Sequence, residues 1–138
     1  MRTTFDVVDI LYPVLFASPM KLAISGTICK NKRPVNSGEV DVVINSLPIT
    51  GDQLQEGIVN VNIHVPNLKL SIGGIQDRTQ QDHETMKELT AQAVGILNDL
   101  WLAKGELSFS ILTQSIFEEP EIFEHYVNLR LSYRAVNI

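Results

Sequence analysis

A single cysteine, Cys29, is the only thiol in this chain of 138 residues. One thiol excludes an intramolecular disulfide and a cysteine-built zinc cluster. Its apolar surroundings mark it as a small buried filler. A nucleophilic thiol needs a basic or helix-N-terminal setting, and the sequence offers none. Long hydrophobic runs are missing too, since none approaches the roughly 20 apolar residues that cross a bilayer. Asp6 and Asp9 interrupt the apolar N-terminal stretch, and no small-residue cleavage site follows, which argues against a secretory signal. Excess positive charge is also lacking. Eleven Lys and Arg against 16 Asp and Glu leave a net charge of -5, ill suited to binding nucleic acid by neutralising phosphates. The one basic cluster, Lys30, Lys32 and Arg33 beside Pro34, reads as a solvated loop.

Patterns that carry catalysis are scarce as well. His64, His83 and His125 fall on different predicted elements, and no pair has the i, i+4 spacing of a metal-binding helix. There is no P-loop, dinucleotide fingerprint or nucleophile elbow. Gly73-Gly74 is a turn signal. Glu118, Glu119 and Glu121 have the chemistry of hard-cation ligands, but a solvated hairpin tip explains them more simply. No catalytic residue, cofactor or metal ligand is assigned.

What is present is pattern. The length and a hydrophobic content of 44% suit one globular domain spanning residues 1–138. Phe5, Val8, Leu11 and Leu15 keep helical spacing over Thr4 to Phe16, with Thr3 or Thr4 as cap and Asp6 at the positive end of the dipole. Pro13 predicts a kink or an early end there. A short strand is expected within Lys21 to Lys30, a second over Val40 to Leu47 and a third over Gln53 to Val65. In the third, Val59, Val61, Ile63 and Val65 fall on one face and Asn60, Asn62 and His64 on the other, the period of a half-buried strand. Pro66 to Asp77 reads as a loop with more apolar residues than a free loop carries, Leu70 and Ile72 among them, so it should pack on the body or on a partner.

The apolar stripe Met86, Leu89, Ala93, Ile96, Leu97, Leu100 and Trp101 predicts a helix from Asp82 to Lys104, with Trp101 in the core and Gly105 as its stop. Leu107 to Ile111 and Val127 to Arg134 then alternate as two more strands. The expected fold class is α+β: a mainly antiparallel sheet of about five strands with an N-terminal helix and one long helix packed on it, in the order α-β-β-β-α-β-β.

Two polar faces stand out. Asn is normally depleted in strands, so Asn60 and Asn62 beside His64 suggest a face that hydrogen-bonds a neighbouring strand, a loop or another subunit, against the plainer reading of solvated amides. On the last strand, Arg130 and Arg134 lie with Asn128 and Ser132. They face water, or meet a neighbouring subunit through acids such as Glu118, Glu119 or Asp41. The candidate interface is therefore Asn60, Asn62, His64, Leu70, Ile72, Arg130 and Arg134.

The stretch GTICKNKRPVNSGEVDVVINSL (26–47), followed by GIVNVNIHVPN (57–67), resembles the tail terminator, or tail-completion, proteins of siphophages and their prophages. The order of elements resembles that family along nearly the whole chain. The resemblance implies a structural protein and no enzyme: a homohexameric ring that caps the tail tube, stops its polymerisation and presents a surface to the head-tail connector. Implied partners are the chain itself, the tail tube protein and the connector protein, with no membrane and no specific nucleic-acid binding. The implied place is the virion tail, after synthesis in the bacterial host cytoplasm. Net negative charge suits a bore through which DNA passes without sticking. Other readings are another neck or minor tail component, such as a head-completion protein, or a small ligand-binding domain or enzyme with a deep pocket.

Overall fold

Thr3 starts the first helix. Its hydroxyl accepts from the Asp6 amide at 3.2 Å, and the Asp6 carboxylate accepts from the Thr3 amide at 2.7 Å. This reciprocal pair satisfies donors that a helix start leaves orphaned. In the computed structural model of the chain, which describes residues 1–137, the helix α1 spans Thr4–Phe16 and buries Val7, Val8, Leu11 and Leu15. Pro13 does not end it early. Pro13 and Asp9, whose carbonyl loses its helical donor, are both exposed, so water can satisfy the freed group. The break comes at Ser18-Pro19, where Pro19 opens a short helix, α2, Pro19–Ala23. The strand expected within Lys21 to Lys30 is therefore confined to β1, Ile28–Lys30.

The remaining elements are β2 (Asp41–Ile49), β3 (Leu54–Pro66), β4 (Leu70–Ile72), β5 (Ile75–Asp77), α3 (His83–Leu97), β6 (Leu100–Leu102), β7 (Leu107–Glu119) and β8 (Glu124–Val136). The main sheet has six strands in the order β1-β2-β3-β8-β7-β6. All its pairs are antiparallel except β1 with β2. At its centre β3 and β8 pair along their full lengths, from Leu54 opposite Val136 to Pro66 opposite Glu124. The α+β class, the antiparallel character and the helix placement agree with the sequence pattern. The sheet is one strand larger than expected, because β6 was hidden in the predicted helix.

Alternation decides which face is core. Val59, Val61, Ile63 and Val65 of β3 join Val127, Leu129, Leu131 and Tyr133 of β8 against the helices, all buried. Helix α3 contributes Met86, Leu89, Ala93 and Leu97. Asp82 caps it, its carboxylate accepting from the Thr85 amide at 3.2 Å. The helix stops at Leu97, not at Lys104. Asn98 is extended and Asp99 adopts a left-handed φ of 55°, which turns the chain into β6, where Leu100, Trp101 and Leu102 pair with Phe109, Ser108 and Leu107. Trp101 is not core: it is 61% exposed. The left-handed residues Lys104 and Gly105 end a tight turn between β6 and β7 rather than a helix.

Pro66 to Asp77 is not a loop either. It holds the hairpin β4–β5, a two-stranded sheet of its own. Gly73 and Gly74 make its turn with φ of 59° and 81°, the positive pair that a two-residue hairpin turn of the I′ type demands.

Candidate functional site

The outer face of the sheet, away from the helices, carries five of the seven candidate residues. Asn60, Asn62 and His64 of β3 lie opposite Arg130, Asn128 and Tyr126 of β8. The strand amides bond within the chain: the Asn128 side-chain amide nitrogen donates to the side-chain oxygen of Asn62 at 2.7 Å and to that of Asn60 at 3.2 Å. A cross-strand amide cluster thus explains why Asn is tolerated in mid-strand. Arg130 stands exposed beside it. Arg134 reaches Glu56 on the adjacent strand at 3.1 Å, both side chains half or more exposed, so the pair adds at most about 1 kcal/mol to stability. Leu70 and Ile72 are elsewhere, on the hairpin that leaves the end of β3. Leu70 is half-buried and Ile72 exposed.

The sequence reading missed the strongest electrostatic feature. Arg33, expected in a solvated basic loop, is folded back onto the outer face between two buried carboxylates. Its Nε donates to Asp41 at 2.9 Å, and Nη1 and Nη2 grip Glu124 at 2.5 and 3.1 Å. Nη2 also donates to the carbonyl oxygens of Ser37 and Glu39. Asp41 accepts further from the Ser37 hydroxyl at 2.5 Å and the Thr27 amide at 2.9 Å. Burial disfavours both charges. Hydrogen bonds outweigh it, holding the Asp41 carboxyl below its ordinary pKa and the Arg33 guanidinium above its own. Asp41 is therefore not free to meet an arginine of a neighbour. Gly26 is part of the site, since a Cβ there would lie 2.0 Å from the Asp41 carboxylate and 2.6 Å from the Val40 carbonyl oxygen. Gly26 was visible in the sequence, but nothing marked what it makes room for.

His64 sits against this cluster. Its ring packs on Tyr126, centroids 5.0 Å apart, and Tyr126 packs on Phe117 at 5.1 Å. Its Nδ1 is buried without a hydrogen-bond partner, and Glu124 at 3.9 Å is too distant to serve. Burial first, then the Arg33 charge, lowers its pKa to about 4. The unfolded chain then binds a proton between about pH 6.5 and 4 that the folded chain refuses. Stability contributed by neutral His64 is complete above about pH 6.5 and is lost as pH falls towards 4, at about 1.4 kcal/mol per unit of the interval. Urea midpoints should fall across that window, and His64→Gln should flatten this limb. An unchanged slope would mean His64 titrates freely.

Cys29 is buried, as its apolar setting implied, and burial pushes its thiol up. His125 lies apart from His64, its Nδ1 2.6 Å from the Asn67 side-chain oxygen. Glu119 precedes the β7–β8 turn at Pro120–Ile122, and Glu121 lies within it. Among the described residues no group of three His, Cys, Asp or Glu is placed to hold a metal ion, and no helix is long and apolar enough to cross a membrane.

No protein-family model and no curated protein sequence matches this chain. A solved structure does match in three dimensions: a chain from the virion of a native gene transfer agent (GTA) particle, at 13% identity, a TM-score of 0.63 and 92% coverage of both chains. The chain shares that fold. Coverage of 92% on both sides makes this a likeness of fold over nearly the whole of both chains.

Proposed function

We propose that the chain is a structural protein of a phage-like virion, a tail terminator that closes the tail tube as a homohexameric ring and offers a surface to the head-tail connector. The observation that carries this reading is the fold shared with the gene transfer agent virion chain over 92% of both lengths. The resemblance of residues 26–47 and 57–67 to tail terminators supports it. The surface is consistent with assembly. Ile72 and Ile75 project from a hairpin that forms no part of the main sheet, and Leu112, Ile116 and Phe117 are exposed along β7. Exposed apolar side chains in such number mark contact surfaces.

The polar outer face, with Asn60, Asn62, Arg130 and Arg134, is the surface we assign to the bore or to the neighbouring subunit. His64 is the exception among the candidates: it lies on the same face but is mostly covered, its ring packed on Tyr126. Disruption of the gene in the genome that encodes it tests the function. Tails of unregulated length, or finished tails that fail to join filled heads, are the expected result. A head-completion role predicts instead normal tails beside heads that leak DNA, and normal particles would remove the proposal.

A further inference from the structure

Residues 31–39 join β1 to β2 with few attachments of their own. Only Arg33 and Ser37 among them are partly buried, and the rest are exposed, Val35 at 81%. The backbone is tied at the two ends of the segment, where the Asn31 N–H donates to the Ile44 carbonyl oxygen and the Gly26 N–H to that of Val40. Among the described residues, the one backbone bond made from Arg33 to Glu39 runs from Ser37 to Pro34, inside the segment. The segment is a strap, and side chains fasten it to the sheet: Arg33 on Asp41 and Glu124, and Ser37 on Asp41. An open cavity of about 430 Å³, lined by Pro34, Ser37, Ile122 and Glu124, lies between the strap and the β7–β8 turn. No close packing there replaces the bonds that Arg33 makes.

The fastening stands beside a group that can take a proton. His64 lies opposite Asp41 of β2 and Tyr126 of β8, with Glu124 3.9 Å from its Nδ1. That nitrogen is buried without a hydrogen-bond partner, a condition that costs free energy. The charges around it are Arg33 from the strap, Asp41 from β2 and Glu124 from β8. Glu119 of β7 lies opposite Glu124, and Lys32 and Glu39 of the strap are exposed. One guanidinium against two carboxylates leaves the cluster a single negative charge in excess, which a proton on Nδ1 would balance. Burial and the Arg33 charge refuse that proton until the pH nears 4.

We propose that His64 is an acid-operated release for this strap: its protonation draws Glu124 from Arg33, repels the guanidinium, and frees residues 31–39 from a sheet that stays folded. The proton comes from water and ends on Nδ1, whose new N–H donates to the Glu124 carboxylate. Arg33 loses its Nη1 and Nη2 bonds to Glu124 in the exchange. Its bonds to the Ser37 and Glu39 carbonyl oxygens lie within the strap and move with it. Asp41 keeps the Thr27 amide as a donor, so it is not left bare. The sheet does not depend on the same bonds, because β3 and β8 pair by backbone along their full lengths. A segment with few buried contacts opens at a lower free energy than the core beneath it.

Backbone nitrogen-15 relaxation of the full chain, from neutral pH to about pH 3.5, tests the release, with the His64 ring protons followed in the same samples. Order parameters in residues 33–38 should fall from about 0.85 to below about 0.6. The midpoint should coincide with the His64 titration at about 4, while Val59 to Val65 stay rigid. His64→Gln keeps a polar side chain but cannot take the proton, so its strap should stay ordered through that midpoint. A strap already mobile at neutral pH, or one that loosens only together with the sheet, overturns the proposal. So does a strap that loosens at the same pH in His64→Gln. Should that variant fail to fold, the wild-type chain decides alone: strap and ring-proton midpoints that differ overturn the release, and midpoints that coincide support it.

Discussion

Arg33→Ala should destabilise the protein by about 3–5 kcal/mol, the cost of removing one partner from a buried ion cluster and leaving the others uncompensated. Asp41 and Glu124 are 1% and 2% exposed, so neither carboxylate can turn to water for the bonds it loses. Urea denaturation would measure the loss. The same experiment at pH 3 should show a smaller difference, because the Asp41 carboxyl, which the guanidinium helps to hold below its ordinary pKa, can protonate more readily once Arg33 is gone. The cluster is a matter of geometry more than of net stability. Replacing Arg33, Asp41 and Glu124 together by apolar residues of similar volume should cost far less than Arg33→Ala alone, as such swaps are often neutral. What they would lose is the fixed path of residues 31–39 across the sheet. A loss below about 1 kcal/mol for Arg33→Ala, the scale of a surface pair, would show that the cluster is solvated.

Leu97→Ala should cost about 2–5 kcal/mol, the range for truncating a buried leucine. Leu97 is fully buried at the last turn of α3. Trp101→Ala, although it removes a far larger side chain, should stay within about 0.5 kcal/mol, as surface changes do. Denaturation midpoints of the two variants separate the observed end of the helix from one that continues. If Trp101→Ala proved the costlier of the two, the apolar stripe would continue through Trp101 and β6 would not exist.

That pair of residues shows why part of the fold is legible in the sequence and part is not. Strands with one buried face announce themselves through period-2 alternation, and Val59 to Val65 did so without interruption. Leu100 and Trp101 misled because an apolar residue four positions after Leu97 has the same spacing whether the chain continues as helix or turns sharply at Asp99. Asn98 and Asp99 are of the types that enter the left-handed region, but both also occur within helices, so the sequence did not single out the turn. The hairpin at Gly73-Gly74 was hidden for a related reason. Its strands are three residues each, too short for alternation to show, and their exposed isoleucines looked like a packed loop.

The Arg33 cluster was illegible for a different reason. Arg33 and Glu124 are 91 residues apart in the chain, and each taken alone resembles an ordinary surface charge. Only the sheet order, which sets the start of β8 beside the end of β3, brings them together. The amide cluster of Asn60, Asn62 and Asn128 was half legible. The unusual placement of Asn in strands was visible, and the partner became visible only with the β3–β8 register.

Electron cryomicroscopy of purified particles tests the central claim most directly. A single ring of this fold at the head-proximal end of the tail tube, between the last tube ring and the connector, is the expected result. Particles that lack the chain, or that carry it along the tube or at the distal tip, would contradict it.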